Sequence, residues 1–169
     1  MMMHMLERGG LEVVTDGVRV ADESNPRGYY EDERVKRLEI DSDRSWLMTA
    51  RGRAIKIISF LLKDLPDTHQ YRVIFMHRDL DEIVASQRKM LRAAGTPDDP
   101  TADERIAGAY RHHLAAVARL MPGRSCFDVL DVDYANVLDH AREEAERVEA
   151  FLTAGLDVSK MAAAVDRAR

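Results

Sequence analysis

The chain has 169 residues, of which 46% are hydrophobic and 33% charged, with a net charge of -5. That is enough for one domain with a proper core, and the acidic balance argues against a nucleic-acid binder, though not against a small local anion site. A lone cysteine, Cys126, excludes an intrachain disulfide and fits a reducing cytosol, and no run reaches the roughly 18 apolar residues of a membrane span. The opening "MMMHMLERGGL" has too short an apolar stretch for a secretory signal and lacks a basic leader, so the expected location is cytoplasmic.

In chain order, Met1 to Arg8 reads as a helix ended by Gly9-Gly10. Leu11 to Thr15 reads as a short strand, Asp16-Gly17 as a turn, and "ADESNPRG" (Ala21 to Gly28) as a loop. Tyr30 to Asp41 has helical spacing, with Val35 and Leu38 on one face, and Asp43 to Thr49 adds a helical turn or two. "AIKIISF" (Ala54 to Phe60) and Arg72 to Met76 read as buried strands. Leu80 to Ala94 and Asp103 to Met121 read as helices joined by "AAGTPDDPTADE" (Ala93 to Glu104), a surface loop and not a domain boundary. Phe127 to Val132 reads as a strand with Cys126 as a small core residue at its start. Val137 to Ala154 reads as a helix stopped by Gly155, and Asp157 or Ser159 caps the last helix. On the long helix, Glu143, Glu144, Glu146 and Arg147 are expected on the solvated side, with Val148, Phe151 and Leu152 turned inward.

Strands alternating with helices imply an α/β fold with a mainly parallel sheet. Such sheets bind ligands beyond the carboxyl ends of their strands. The segment "YRVIFMHRDLDEIVASQ" places Arg78 there, Asp79 at a helix cap, and Ser86 about two turns into the helix. A long arginine folded along that helix offers a planar fork of donors for phosphate oxygens, and Ser86 can add a hydroxyl. The plainer explanation pairs Arg78 with Asp79 or Asp81 and leaves Ser86 facing solvent.

This stretch resembles the 3′-phosphate-binding segment of sulfotransferases, which use 3′-phosphoadenosine 5′-phosphosulfate. In that family a strand ends in arginine, and a serine eight residues on binds the same 3′-phosphate; Arg78 and Ser86 match in type and spacing. "NPRGYYE", "AIKIISFLLKDLP", "FDVLDVDYANVLDHAREEAERVEAFL" and "LDVSKMAAAVD" are similar, in the same order, to segments of bacterial sulfotransferase-like proteins. The resemblance implies a single sulfotransferase-like domain over 1–169. It also implies a three-layer, mainly parallel sheet with helices on both faces, of the P-loop NTPase type. The implied sulfuryl donor is 3′-phosphoadenosine 5′-phosphosulfate, with no metal, and the implied partner is a small-molecule or glycan acceptor.

Two departures qualify the resemblance. The sequence has no Gly/Ser/Thr-rich loop of the kind that holds the 5′-phosphosulfate at a helix N-terminus; "MMMHML" resembles the helix that follows that loop. The expectation is a start inside a longer reading frame, and the alternative is a degenerate, inactive relative. Second, many relatives carry a catalytic histidine two residues after a strand lysine, whereas this chain reads Lys56-Ile57-Ile58. Glu31 is then the first candidate base, ahead of Glu23 and Asp22, and Lys56 a candidate donor to the leaving phosphate oxygen. The plainer roles are a helix-start acid for Glu31 and an outward strand lysine for Lys56.

The six histidines suggest no metal site; His112 and His113 are adjacent and point to different faces of a helix. His77 is expected as a strand-end residue, and Trp46, Tyr29 and Tyr30 as core or as pocket lining. Two other classes stay open, a small-molecule P-loop kinase and a non-catalytic binding or assembly protein on the same scaffold.

Overall fold

The segment Tyr71–His77 forms a strand, β1, whose side chains alternate between two apolar clusters. Ile74 and Met76 pack into one, and Tyr71, Val73 and Phe75 into the other. Phe127–Asp133 forms β2 with the same alternation, Leu130 and Val132 against Phe127 and Val129. The strands pair in parallel, from Tyr71 opposite Phe127 to His77 opposite Asp133. Both faces are therefore covered, which is why the run is apolar on successive residues. A computed structural model provides this view; it describes residues 1–19, 28–93, 95 and 101–165.

Helices α1 (Met2–Arg8), α5 (Tyr134–Asp139), α6 (Ala141–Leu152) and α7 (Val158–Ala163) build the first cluster. Met2, Met5 and Leu6, spaced at i, i+3 and i+4, meet Val137, Ala145, Val148 and Met161 there. Helix α2 (Glu33–Lys36), 3-10 turns at Ser45–Ala50 and Ser59–Asp64, and α4 (Ala102–Leu120) build the second. It gathers Val35, Leu38, Leu47, Leu61, Leu62 and Val117, with Cys126 buried beside Phe127. Helix α3 (Leu80–Ala93) follows β1, and with α4 it carries the chain across to β2. As the sequence suggests, Asp157 caps α7, its carboxylate accepting from the Lys160 amide at 3.0 Å.

Five expectations change. Leu11 to Thr15 is not a strand, since only Val13 pairs, in an isolated bridge. Ala54 to Phe60 is not a strand. Ala54 makes one isolated parallel bridge to Val13, Ile58 and Phe60 are about half exposed, and Ser59 opens a 3-10 turn. The apolar run alone does not supply a ladder partner. The helix expected over Tyr30 to Asp41 shrinks to α2, because Tyr30 takes a left-handed φ of 51° and Asp32 caps at the Arg34 amide. The late helix is broken at His140 (φ −129°, ψ 48°), and α6 ends at Thr153 with φ 49°, two residues before Gly155. Glu144 is buried and not solvated. Both its oxygens accept from Arg147 Nη1 at 2.7 Å, and Arg147 also donates to the Asp131 carbonyl, tying α6 to β2.

Candidate functional site

The carboxyl end of β1 delivers Arg78 into the open. Asp79 caps α3, its carboxylate accepting from the amides of Asp81 (2.8 Å) and Glu82 (3.2 Å). Arg78 pairs with neither Asp79 nor Asp81. Its Nε donates to Glu82 Oε2 at 2.9 Å, and its guanidinium lies over the Tyr134 ring, 5.0 Å from the centroid. Tyr134 is the first residue of α5, so the end of β2 supplies an aromatic floor for the arginine at the end of β1. Ser86 is half-buried and lies four residues beyond Glu82, on the same stripe of α3. Arg78 thus leans onto the stripe that carries Ser86, with the Glu82 carboxylate holding it.

The second group of charges centres on Glu31. Lys56 Nζ sits 3.3 Å from Glu31 Oε1 and donates to the Tyr29 carbonyl at 3.0 Å. Arg19 approaches the same carboxylate at 3.2 Å and Lys36 at 3.5 Å. The two residues singled out for catalysis, 25 positions apart in the chain, are therefore in contact. Local backbone chemistry makes this possible. Tyr30 holds its left-handed turn through its own hydroxyl, which donates to Glu7 Oε2 at 2.6 Å and meets His4 Nδ1 at 3.1 Å. Helix α1 so anchors the loop that presents Glu31. Burial works to raise the Glu31 carboxyl, but the hydrogen bond and charge of Lys56, with Arg19 and Lys36, outweigh it. The group is held below the usual carboxylate range and is ionised at neutral pH.

A cavity of about 1000 Å³ joins these parts. Its lining includes Lys56 and Arg78, the residues of β1, Tyr29 and Tyr30, and Tyr134. Neither Glu31 nor Ser86 belongs to that lining. Glu31 reaches it through Lys56, and Ser86 lies beyond Arg78 along α3. Trp46 packs instead against the second apolar cluster, with the Arg34 guanidinium 4.8 Å from its ring. Asp22 and Glu23, the weaker base candidates, lie outside the described residues. His77 pairs with Asp131 across the strands at 2.6 Å.

Sequence reasoning missed two elements of this site. The segment holding Tyr134 resembles the family's late strand and helix, where a tyrosine recurs, but its contact with Arg78 depends on the pairing of β1 with β2. The adjacency of His112 and His113 gives no hint of a site, yet His113 Nε2 lies 2.7 Å from Ser59 Oγ and its ring stacks on Phe60. Among the described residues, no group of three or more His, Cys, Asp and Glu side chains is placed to hold a metal ion, and no helix is long and apolar enough to cross a membrane.

Residues 22–159 match the sulfotransferase family. The chain belongs to the sulfotransferase family. The match spans most of the sequence, including Glu31, Lys56, Arg78 and Ser86. Neither the curated proteins nor the solved structures compared with this family member contain a match. A small parallel sheet with helices packed around it accords with the α/β fold expected of this family.

Proposed function

We propose that the chain is a single sulfotransferase-like domain over 1–169, built on a three-layer P-loop-type scaffold. In this reading it transfers a sulfuryl group from 3′-phosphoadenosine 5′-phosphosulfate to a hydroxyl or amine of a small-molecule or glycan acceptor. Arg78 and Ser86 bind the 3′-phosphate. Arg78 contributes charge-assisted hydrogen bonds from a fork matched to phosphate, and Ser86 contributes its hydroxyl. The Arg78–Glu82 pair is exposed, so exchanging its carboxylate for a phosphate costs little.

Lys56 and Glu31 form the proposed catalytic pair. Lys56 offsets the charge that develops on the leaving phosphate oxygen. Glu31 holds Lys56 in place before the donor arrives.

The observation that supports this reading best is that Lys56 and Arg78 line one cavity, which runs along β1 to the arginine at its carboxyl end, in a chain of this family. The test is thermal stabilisation by 3′,5′-adenosine bisphosphate against ATP, followed by transfer from a radiolabelled sulfuryl donor. Stabilisation by the bisphosphate and label in an acceptor are expected. Stabilisation by ATP alone would favour the kinase reading, and stabilisation by neither would favour a non-catalytic scaffold.

A further inference from the structure

Lys56 is followed three residues later by Ser59, which also lines the cavity. Ser59 is the first residue of its 3-10 turn, with Ile58 before it in extended conformation. Its Oγ is 2.7 Å from His113 Nε2, which comes from the middle of α4. The imidazole is fixed from the side as well. Phe60 stacks on it with ring centroids 3.5 Å apart and planes 10° from parallel. Tyr110 and Leu114, the α4 neighbours of His113, line the same cavity. Burial pushes the His113 imidazole below its usual value, which favours the neutral ring at physiological pH. With the proton on Nδ1, Nε2 is free to accept from the serine hydroxyl.

This arrangement supplies what Glu31 lacks. Three cations surround Glu31 and oppose its protonation, whereas a neutral imidazole is intrinsically a stronger base than a carboxylate. Resting on the sulfuryl-transfer reading, we propose that Ser59 and His113 form the acid–base pair that takes the acceptor's proton, leaving Glu31 to hold Lys56 for the leaving group. The acceptor hydroxyl gives its proton to Ser59 Oγ as Ser59 gives its own to His113 Nε2. The acceptor oxygen forms the new bond to sulfur. The bond from sulfur to the bridging phosphate oxygen breaks, and its electron pair stays on that oxygen, facing Lys56. The imidazolium then returns its proton to water. Ser59 touches the acceptor; His113 acts through it as a positioning and proton-holding residue.

The experiment has two arms on the full chain. In the first, an aryl sulfonyl fluoride is the probe and mass spectrometry locates the adduct. Labelling at Ser59 is expected, slowed by about tenfold or more in His113→Gln, because the hydroxyl is nucleophilic only when a base takes its proton. Absence of label at Ser59, or equal labelling in the variant, overturns the proposal. In the second, His113→Gln and Ser59→Ala are expected to lower kcat roughly a hundredfold while leaving KM for the donor within about twofold. Added imidazole is expected to restore part of the rate to His113→Gly, a response that a purely structural histidine would not give. Full transfer by His113→Gln and Ser59→Ala, with transfer abolished in Glu31→Gln, returns the base role to Glu31 and overturns the pair. Histidine-dependent label at Ser59 with no transfer from the donor to any acceptor upholds the pair as an acid–base site and removes the sulfuryl-transfer reading.

Discussion

Glu31 sits among Arg19, Lys36 and Lys56, and its charge is worth more to the folded protein than to the unfolded chain. The folded carboxyl binds its proton less tightly than the ordinary value of 4.5. Its contribution to stability is therefore complete above that value and is lost as pH falls through the lowered folded value. Denaturant midpoints of the wild type and Glu31→Gln, measured from pH 7 downward, are expected to converge in the acid range. A constant difference would mean that Glu31 makes no charge-dependent contribution. At the other end of the cavity, Glu82 competes with any phosphate for Arg78. Glu82→Gln removes that competitor and is expected to tighten binding of 3′,5′-adenosine bisphosphate severalfold in titration calorimetry; weaker binding would show that Glu82 positions Arg78 for its ligand. The placement of Arg78 at a strand end and of Ser86 in the helix behind an Asp79 cap is legible in the sequence, because strand end, cap and helix follow each other within one short segment. The contact of Glu31 with Lys56 was not derivable from spacing. It depends on a left-handed Tyr30 and on its anchoring to α1, and those are tertiary facts.

At the scale of elements, the outcome turned on partners. Tyr71–His77 and Phe127–Asp133 became strands because each offers the other a full parallel ladder and both bury two faces. Ala54 to Phe60 has the same apolar look but pairs only at Ala54, so it is not a strand, and a 3-10 turn starts at Ser59. Composition could not separate these cases, since a strand is defined by its neighbour. Helix α1 shows the reverse. Its methionine spacing and the Gly9-Gly10 stop were legible, and the structure adds the reason for the first glycine. A Cβ on Gly9 would lie 2.6 Å from Met161 Cγ and 3.3 Å from Leu156 Cβ, so α7 packs directly on the backbone. Gly9 has an ordinary helical φ of −71°, so the constraint is steric and not conformational. Gly9→Ala is expected to destabilise the protein by about 1–3 kcal/mol, the usual cost of overpacking, in urea denaturation. An unchanged midpoint would mean that α1 and α7 are not in close contact.

Across the whole molecule, the two apolar clusters share one thin partition, the β1–β2 pair. Met161 is fully buried in one cluster and Trp46 packs against the other. Met161→Ala is expected to cost about 2–5 kcal/mol. Trp46 fluorescence and far-UV circular dichroism should shift together, because a shared sheet couples the clusters into one transition. A Trp46 transition that stays in place would show the two halves unfolding separately. The proposed function rests on one central claim, that Arg78 and Ser86 read the 3′-phosphate of an adenosine donor. Calorimetry with 3′,5′-adenosine bisphosphate and with adenosine 5′-phosphate, on wild type and Arg78→Ala, tests it most directly. A charge-assisted hydrogen bond of about 1.5–3 kcal/mol predicts that the 3′-phosphate tightens wild-type binding roughly tenfold or more. In Arg78→Ala most of that gain should vanish. Equal affinity of the wild type for the two nucleotides, or a 3′-phosphate preference that survives intact in Arg78→Ala, would contradict the account.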